Sequence, residues 1–309
     1  MEKFDECRRE LAVYGALFFS TATFLKHPSQ SQAGSIVVSS VPSPQALELL
    51  DQASEAWGRG LDPTSQNRWA ALAEACTLFD KLVALEPERT EWREARGQLR
   101  VDSKKFNEAL DDFNYVLEKN PSNFRGYSSR ALAYEGLSYW DKAVDDYTTA
   151  LRLGKKATGF DEPYVLNSRG NAFASLGQWS EALRDYELSV KGFQEGRQLD
   201  GAIYSAANAA LMQIQLGNEK EGLKELTTVA RRAPGSIDMR AALAALYWSQ
   251  GREREAESTW QFACENINAG QLYDGCAKYR DQDWLRRIRR WPPVMADKMQ
   301  DFFQLRHKT

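Results

Sequence analysis

Histidines and paired carboxylates are the side chains that most often carry general acid–base catalysis. The 309-residue sequence has two histidines, His27 and His307, one near each end. Their number excludes a histidine-based catalytic triad or a histidine-rich metal site in the body of the chain. The sequence also has no glycine-rich phosphate loop and no Gly-x-Ser-x-Gly motif. We therefore predict a protein that is not an enzyme and has no metal or cofactor.

The four cysteines are spread along the chain as Cys7, Cys76, Cys264 and Cys276. None of them forms a Cys-x-x-Cys pair or lies near a histidine, which disfavours a zinc site or a redox dithiol. We interpret them as four separate thiols, mostly buried. A bridge between Cys264 and Cys276 in an oxidising compartment is the alternative, and sequence spacing alone does not decide it.

The overall composition is that of a folded, water-soluble protein. Hydrophobic residues make up 43% of the chain, charged residues 27%, and the net charge is -3. A chain so close to neutral has no global attraction to nucleic acid or to an anionic membrane. We predict protein partners, with neither nucleic acid nor a small-molecule substrate.

Three segments of the chain share one pattern, an aromatic residue followed by alanine and then by a second aromatic residue. They are 106–117, 140–151 and 179–190. The first two lie 34 residues apart, and the third follows after 39, which predicts a five-residue insertion in the loop 154–163. Acidic pairs recur in the same register, at 111–112 and at 145–146. We interpret these pairs as part of a solvated helix face.

The pattern resembles the tetratricopeptide repeat (TPR), a unit of two antiparallel helices that cross closely where small residues meet aromatic ones. The resemblance implies repeats that begin at Thr90, Phe124, Pro163, Ile203 and Ile237. An earlier repeat has helices at 46–57 and 75–87 with a long loop between them. The implied packing residues are Gly97, Ala109, Phe113, Ala131, Tyr134, Ala143, Tyr147, Gly170, Phe173, Ala182, Tyr186 and Ala256.

The predicted fold is therefore all-α, a right-handed α-solenoid of about five to six TPR units over residues 45–267 with a helical C-terminal cap. Residues 1–44 are predicted to hold a targeting or anchor segment and a flexible linker. Within them, residues 11–25 carry no charge and as a helix would span about 22 Å. Such a segment is short for a membrane span and matches the core of a signal peptide. Export, an uncleaved anchor and a helix packed on the fold remain open.

Residues 268–309 leave the repeat pattern and read as a basic amphipathic segment. Its apolar positions share one helical face, and its arginines point elsewhere: Trp284, Leu285, Ile288 and Trp291 against Arg286, Arg287, Arg289 and Arg290. We predict a cap over the last repeat. The alternative is a basic, aromatic-edged surface for an acidic partner or for membrane headgroups.

The first helix of each TPR repeat lines a concave groove, and the resemblance places ligand contacts there. Asn167, Asn171 and Asn208 are the predicted peptide contacts, because an amide can both donate and accept. They could equally be solvated residues. Arg130 and Arg169 could add charge for an acidic ligand or form salt bridges with acidic residues of the neighbouring second helix.

A carboxylate clamp of the chaperone-binding TPR subgroup is not expected. The places of its lysine and arginine in the third clamp repeat hold Asp238 and Ala242, so the positive charge is missing.

The resemblance implies a scaffold or assembly factor that binds a partner peptide in the groove. The alternative is a membrane-associated assembly factor for a photosynthetic complex. A TPR chain of this size with an N-terminal apolar segment resembles thylakoid assembly proteins, and the Arg-Arg-Trp-Pro-Pro tail at 289–293 resembles that of chloroplast TPR proteins of plants and algae. The expected location is then the chloroplast, in the thylakoid lumen or membrane, with soluble stroma or cytoplasm as the alternative.

Overall fold

The computed structural model describes residues 41–62, 65–267 and 275–306, and every regular element in these ranges is helical. The chain divides into two compact units, residues 1–157 and 158–309. In the ranges described, no helix combines the length and the apolar character that crossing a membrane requires. The uncharged segment 11–25 lies outside these ranges.

The first unit is built from three consecutive helix pairs. Its helices are α1 (Pro44–Leu61), α2 (Arg68–Leu85), α3 (Thr90–Asp102), α4 (Phe106–Lys119), α5 (Phe124–Gly136) and α6 (Trp140–Thr158). The second unit continues the same alternation. Its helices are α7 (Pro163–Ser175), α8 (Trp179–Glu195), α9 (Leu199–Gln215), α10 (Glu219–Arg232), α11 (Ile237–Ser249) and α12 (Glu253–Gln261).

The C-terminal part of the second unit leaves this alternation. A π-helical turn, Phe262–Ile267, follows α12 directly. After residue 275 come a 3₁₀ turn, Ala277–Arg280, a second π-helical turn, Trp284–Ile288, and helix α13 (Pro293–Arg306). Helix α13 packs against α11 and α9. The prediction of an all-α tandem repeat fold with a helical cap is confirmed.

Small residues set the distance between the two helices of a repeat. A Cβ added to Gly97 would lie 2.8 Å from Phe113 Cε1, and one added to Gly170 would lie 2.8 Å from Tyr186 Cε1. Both glycines are buried against an aromatic ring 16 residues later, so any side chain there would force the helices apart. Of the other predicted packing residues, Tyr134 and Phe173 are half-buried and the rest are buried.

The turn inside each of the three central repeats, α3–α4, α5–α6 and α7–α8, ends the first helix in the same way. Lys104, Ser138 and Gly177 have φ of 60°, 60° and 74°, and the next amide donates back to a carbonyl five residues earlier. This αL ending satisfies carbonyls that the helix itself leaves unpaired. It also turns the chain sharply enough for the second helix to run back along the first.

Two length predictions were wrong. Only residues 62–67 separate α1 from α2, so the long loop expected there is short. The five-residue insertion before the third central repeat lengthens α6 to Thr158 instead of enlarging a loop. Its residues Lys155, Lys156 and Ala157 are good helix formers, so the helix continues through them.

A disulfide joins Cys264 to Cys276. The interpretation of four separate thiols was therefore wrong for these two, while Cys76 is free and buried. The Tyr279 and Trp260 rings meet edge to face with centroids 6.2 Å apart. Their packing returns the chain to the end of α12 and brings the two cysteines together, which spacing alone did not reveal.

Reduction of this disulfide is expected to destabilise the second unit. The bond closes a short loop in the unfolded chain, since its cysteines are 12 residues apart. Its loss should lower the free energy of unfolding by about 2–3 kcal/mol. Urea denaturation with and without reductant measures this. A Cys264→Ser/Cys276→Ser variant should have a lower free energy of unfolding than oxidised wild type, and reductant should not change it. A variant that still responded to reductant would contradict the assignment.

A carboxyl group lies in the core of the first unit. Asp102 is buried, and its Oδ2 accepts from the Trp57 indole Nε1 at 2.8 Å. Its Oδ1 has no hydrogen-bond partner among the described residues. Burial raises the pKa of Asp102 to about 7, against the Trp57 hydrogen bond and the positive charge of Arg68. This pKa favours the neutral acid below about pH 7.

This buried acid predicts that stability falls as the pH rises. Because the pKa of Asp102 is about 7 in the fold against an ordinary 3.8, its contribution is complete below pH 3.8 and is lost as the pH rises through 7. Between pH 5 and pH 8 the loss should be about 2–3 kcal/mol. Denaturation of wild type and Asp102→Asn at both pH values measures it. The same pH dependence in both proteins would contradict the assignment.

Candidate peptide-binding faces

The three asparagines predicted to contact a peptide lie on first helices of the second unit. The Oδ1 of Asn171 accepts from the Tyr186 hydroxyl at 2.8 Å, and the Oδ1 of Asn167 accepts from Ser205 Oγ at 3.2 Å. Both asparagines are half-buried, and among the described residues neither amide nitrogen has a partner that we observe. Helix α7 therefore carries two available donors one turn apart.

Asn208 differs from the other two asparagines. It is only 5% exposed, and its Nδ2 has no hydrogen-bond partner within the described part of the chain. A buried amide donor without an acceptor costs free energy. It is therefore not an open groove contact in this structure.

Arg130 and Arg169 form ion pairs inside their own repeats. Arg130 donates from Nε and Nη2 to Asp146 at 2.7 and 2.8 Å, and Arg169 donates in the same way to Asp185 at 2.6 and 2.9 Å. The pairing with acidic residues of the second helix, one of the two alternatives drawn from the sequence, is the one observed. Their guanidinium groups therefore bond to aspartates of the protein itself.

A third arginine of this kind was missed by the sequence reasoning. Arg96 donates from Nε and Nη2 to Asp112 at 3.0 and 2.6 Å. Arg96 and Arg130 also bond a residue of the preceding second helix, Asp80 and Asn114 respectively, each at 2.8 Å. The arginine therefore joins its own repeat to the one before it.

The interpretation of the acidic pairs as a solvated face was wrong for one member of each pair. Asp112 and Asp146 are buried beneath their arginines, whereas Asp111 and Asp145 are exposed. Adjacent residues of a helix point about 100° apart, so one can pair inward while the other is solvated. The 16-residue spacing between each arginine and its aspartate, repeated three times, was the signal that could have revealed the pairs.

Removal of one of these arginines should be costly. Arg169→Ala leaves Asp185 buried and without its main counter-charge, because the Asp185 side chain is 0% exposed. The expected loss is about 3–5 kcal/mol, and an apolar Arg169→Met/Asp185→Leu pair should cost much less. Urea denaturation measures both. Lys191→Ala, which removes an exposed pair with Glu195, is the control, with an expected change of about 0.5 kcal/mol or less. Equal losses in the single and double variants would contradict this account.

The C-terminal segment packs against the first helices α9 and α11. Arg289 Nε donates to Asp238 Oδ1 at 2.8 Å, and the Tyr279 hydroxyl donates to the same oxygen at 3.1 Å. Trp291, Phe302 and Phe303 are buried. The aromatic-edged surface of the alternative interpretation is therefore not exposed, because these rings pack onto the repeats.

The first helices of the first unit carry acidic groups. Glu94 accepts from Asn123 Nδ2 at 3.0 Å, and Glu135 accepts from the Tyr147 hydroxyl at 2.6 Å. Burial raises the pKa of Glu94, against the Asn123 hydrogen bond and the charge of Arg125. Both carboxylates contribute to packing between helices. In the ranges described, no three His, Cys, Asp or Glu side chains are grouped to hold a metal ion.

Sequence comparison finds relatives over part of the chain. No family model matches the sequence. Human serine/threonine-protein phosphatase 5 is 35% identical over 89 residues, which cover 29% of this chain and 17% of that protein. Mouse dynein axonemal assembly factor 4 is 28% identical over 172 residues, which cover 53% of this chain and 39% of that protein. The chain thus matches less than half the length of either relative.

Solved structures resemble a larger part of the chain. Yeast Tom70 superposes with a TM-score of 0.55 at 16% identity, and the match covers 94% of this chain and 58% of Tom70. A tetratricopeptide repeat protein from Parabacteroides merdae superposes with a TM-score of 0.54 at 17% identity, covering 84% of this chain and 93% of that one. At this identity the likeness concerns the fold alone. Together with the repeated helix pairs, it supports a tetratricopeptide-repeat fold for this chain.

Proposed function

We propose that this chain is a protein-interaction scaffold or assembly factor that binds an extended segment of a partner protein on the face of α7. The observation that carries the proposal is the pair of amide nitrogens on Asn167 and Asn171. Each amide oxygen is held by a hydroxyl of the fold. The side chains are thereby fixed in place, and their nitrogens remain as donors for carbonyl groups of a peptide.

The relatives are consistent with such a role. Dynein axonemal assembly factor 4 is by its name an assembly factor, and more than half of this chain aligns with part of it. The alignment with phosphatase 5 covers 17% of that enzyme, so the match is no basis for proposing its catalytic activity for this chain. We still expect a protein partner, and neither nucleic acid nor a small-molecule substrate.

Conservative substitutions should separate binding from folding at this site. In an Asn167→Asp/Asn171→Asp variant, the oxygens still accept from Ser205 and Tyr186, while both amide donors are lost and two negative charges are added. Crosslinking and mass spectrometry in the native organism identify the partner. In pull-downs, we expect the double variant to recover at least tenfold less of this partner than wild type. The circular dichroism spectrum should stay unchanged.

The matched control is Lys191→Glu on an exposed part of α8, which changes the net charge by the same amount. It should leave partner recovery at the wild-type level. Equal recovery in the double variant and the control would count against α7 as the binding face.

A membrane-associated assembly factor for a photosynthetic complex remains the alternative function, and the chloroplast, in the thylakoid lumen or membrane, remains the expected location. They depend on residues 11–25, which lie outside the described residues, and on the resemblance of the tail. The soluble stroma or cytoplasm remains the alternative location.

A further inference from the structure

The α9–α11 face of the second unit is covered by a segment of the same chain. Helix α13 packs against both α11 and α9, which are the first helices of consecutive repeats. In the TPR arrangement these helices line the groove that receives a partner. The chain's own residues 277–306 therefore occupy a position equivalent to that of a ligand.

The contacts of this segment resemble those between a bound helix and the protein that binds it. An ion pair joins Arg289 to Asp238, which stands on the first turn of α11. At the start of α13, the backbone N–H of Val294 donates to Gln215 Oε1 at 3.0 Å. Near its middle, Lys298 Nζ lies 3.0 Å from Ser249 Oγ and 2.7 Å from Glu219 Oε1. Charged and polar side chains of the repeats thus fix the position of the segment.

An apolar stripe of α13 completes the contact. Met295, Met299 and Phe302 are fully buried, and the Phe302 ring meets Trp248 of α11 edge to face with centroids 5.4 Å apart. Four alanines of α11 are fully buried: Ala241, Ala242, Ala244 and Ala245. A helix so rich in alanine can be approached closely by its neighbours.

Several features of the segment are unfavourable for a permanent part of the core. The Trp291 indole Nε1 is buried and has no hydrogen-bond partner among the described residues. Arg290 has φ of 58°, which is strained for a residue with a side chain. The preceding turn, Trp284–Ile288, is π-helical. Each feature lowers the net free energy that holds the segment in place.

We propose that the α9–α11 face is a second protein-binding surface that accepts an amphipathic helix, and that residues 277–306 occupy it until such a helix displaces them. The partner helix carries an arginine for Asp238, followed by an apolar stripe equivalent to Met295, Met299 and Phe302. The displacement rests on the proposed scaffold function, whereas the occupied state rests on the contacts above. The Cys264–Cys276 disulfide anchors the start of the segment, so it rebinds at high effective concentration.

A labelled synthetic peptide of residues 284–306 tests the proposal on the full chain. Arg289→Ala loosens the resident segment and leaves Asp238 available for the arginine of the peptide. We expect this variant to bind the peptide at least tenfold more tightly than wild type, as measured by fluorescence anisotropy. Arg287→Ala, at an exposed arginine that pairs with Asp283 on its own turn, should behave like wild type.

A second variant tests the ion pair. Asp238→Ala also loosens the segment but removes the partner of the peptide arginine. It should therefore bind the peptide about tenfold more weakly than Arg289→Ala. Amide hydrogen exchange over residues 293–304 should be faster than in wild type in both variants, while the helical circular dichroism signal is retained. Should Arg289→Ala lose that signal, Arg289→Lys replaces it, with the same expected order of affinities.

Three results would overturn the proposal. The first is equal peptide binding by wild type and a folded Arg289 variant. The second is unchanged hydrogen exchange over residues 293–304. The third is a dimer in light scattering whose dissociation exposes the segment, because the occupant would then come from a second copy. Failure of the α7 variants in pull-downs would affect only the proposed function, because the peptide assay does not depend on α7.

Discussion

The close crossing of the two helices within each central repeat is the constraint on which the other contacts depend. A small residue of the first helix meets an aromatic ring of the second, as Gly97 meets Phe113 and Gly170 meets Tyr186. The residue before each glycine is an arginine, and the residue before each aromatic ring is its aspartate. The same close approach that packs the ring therefore brings the charged groups within hydrogen-bond distance.

The recurring ion pair illustrates how a repeat protein can bury charge. Two parallel hydrogen bonds from the guanidinium satisfy both oxygens of Asp146 or Asp185. A lysine could not offer this fork, so the arginine is specific to the site. Where Arg96 and Arg130 also reach the preceding second helix, the pair fixes the register between neighbouring repeats as well as within one.

Packing of this kind uses the interior of each helix pair, so the outer faces of the first helices are left for other contacts. On α7 the amide nitrogens of the two half-buried asparagines have no hydrogen-bond partner in the described part of the chain. The chain's own C-terminal segment packs against α9 and α11, and Asp238 pairs with Arg289. The sequence lacks the positive charge that a carboxylate clamp needs. The structure shows an acid, Asp238, on this face, so the face is complementary to a cation.

Much of the architecture could be predicted, since repeat register is a local property of the sequence. Helices begin at Thr90, Phe124, Pro163 and Ile237 as expected, whereas the helix expected at Ile203 begins at Leu199. Whether the insertion before Pro163 would lengthen α6 or enlarge the loop could not be predicted, because its residues suit both a helix and a loop. The burial of Asp112 beside exposed Asp111 also escaped, because the acidic pair alone does not show which member faces the neighbouring helix.

The sequence by itself determined the helix pairs, their small and aromatic packing residues and the amphipathic character of the C-terminus, because these depend on residue type and on spacing along one helix. Only the tertiary structure decided that Cys264 and Cys276 are joined, that the central arginines belong to buried ion pairs and that α13 lies on α9 and α11. Each of these contacts joins residues on different elements, and their separation in space depends on how the helices pack.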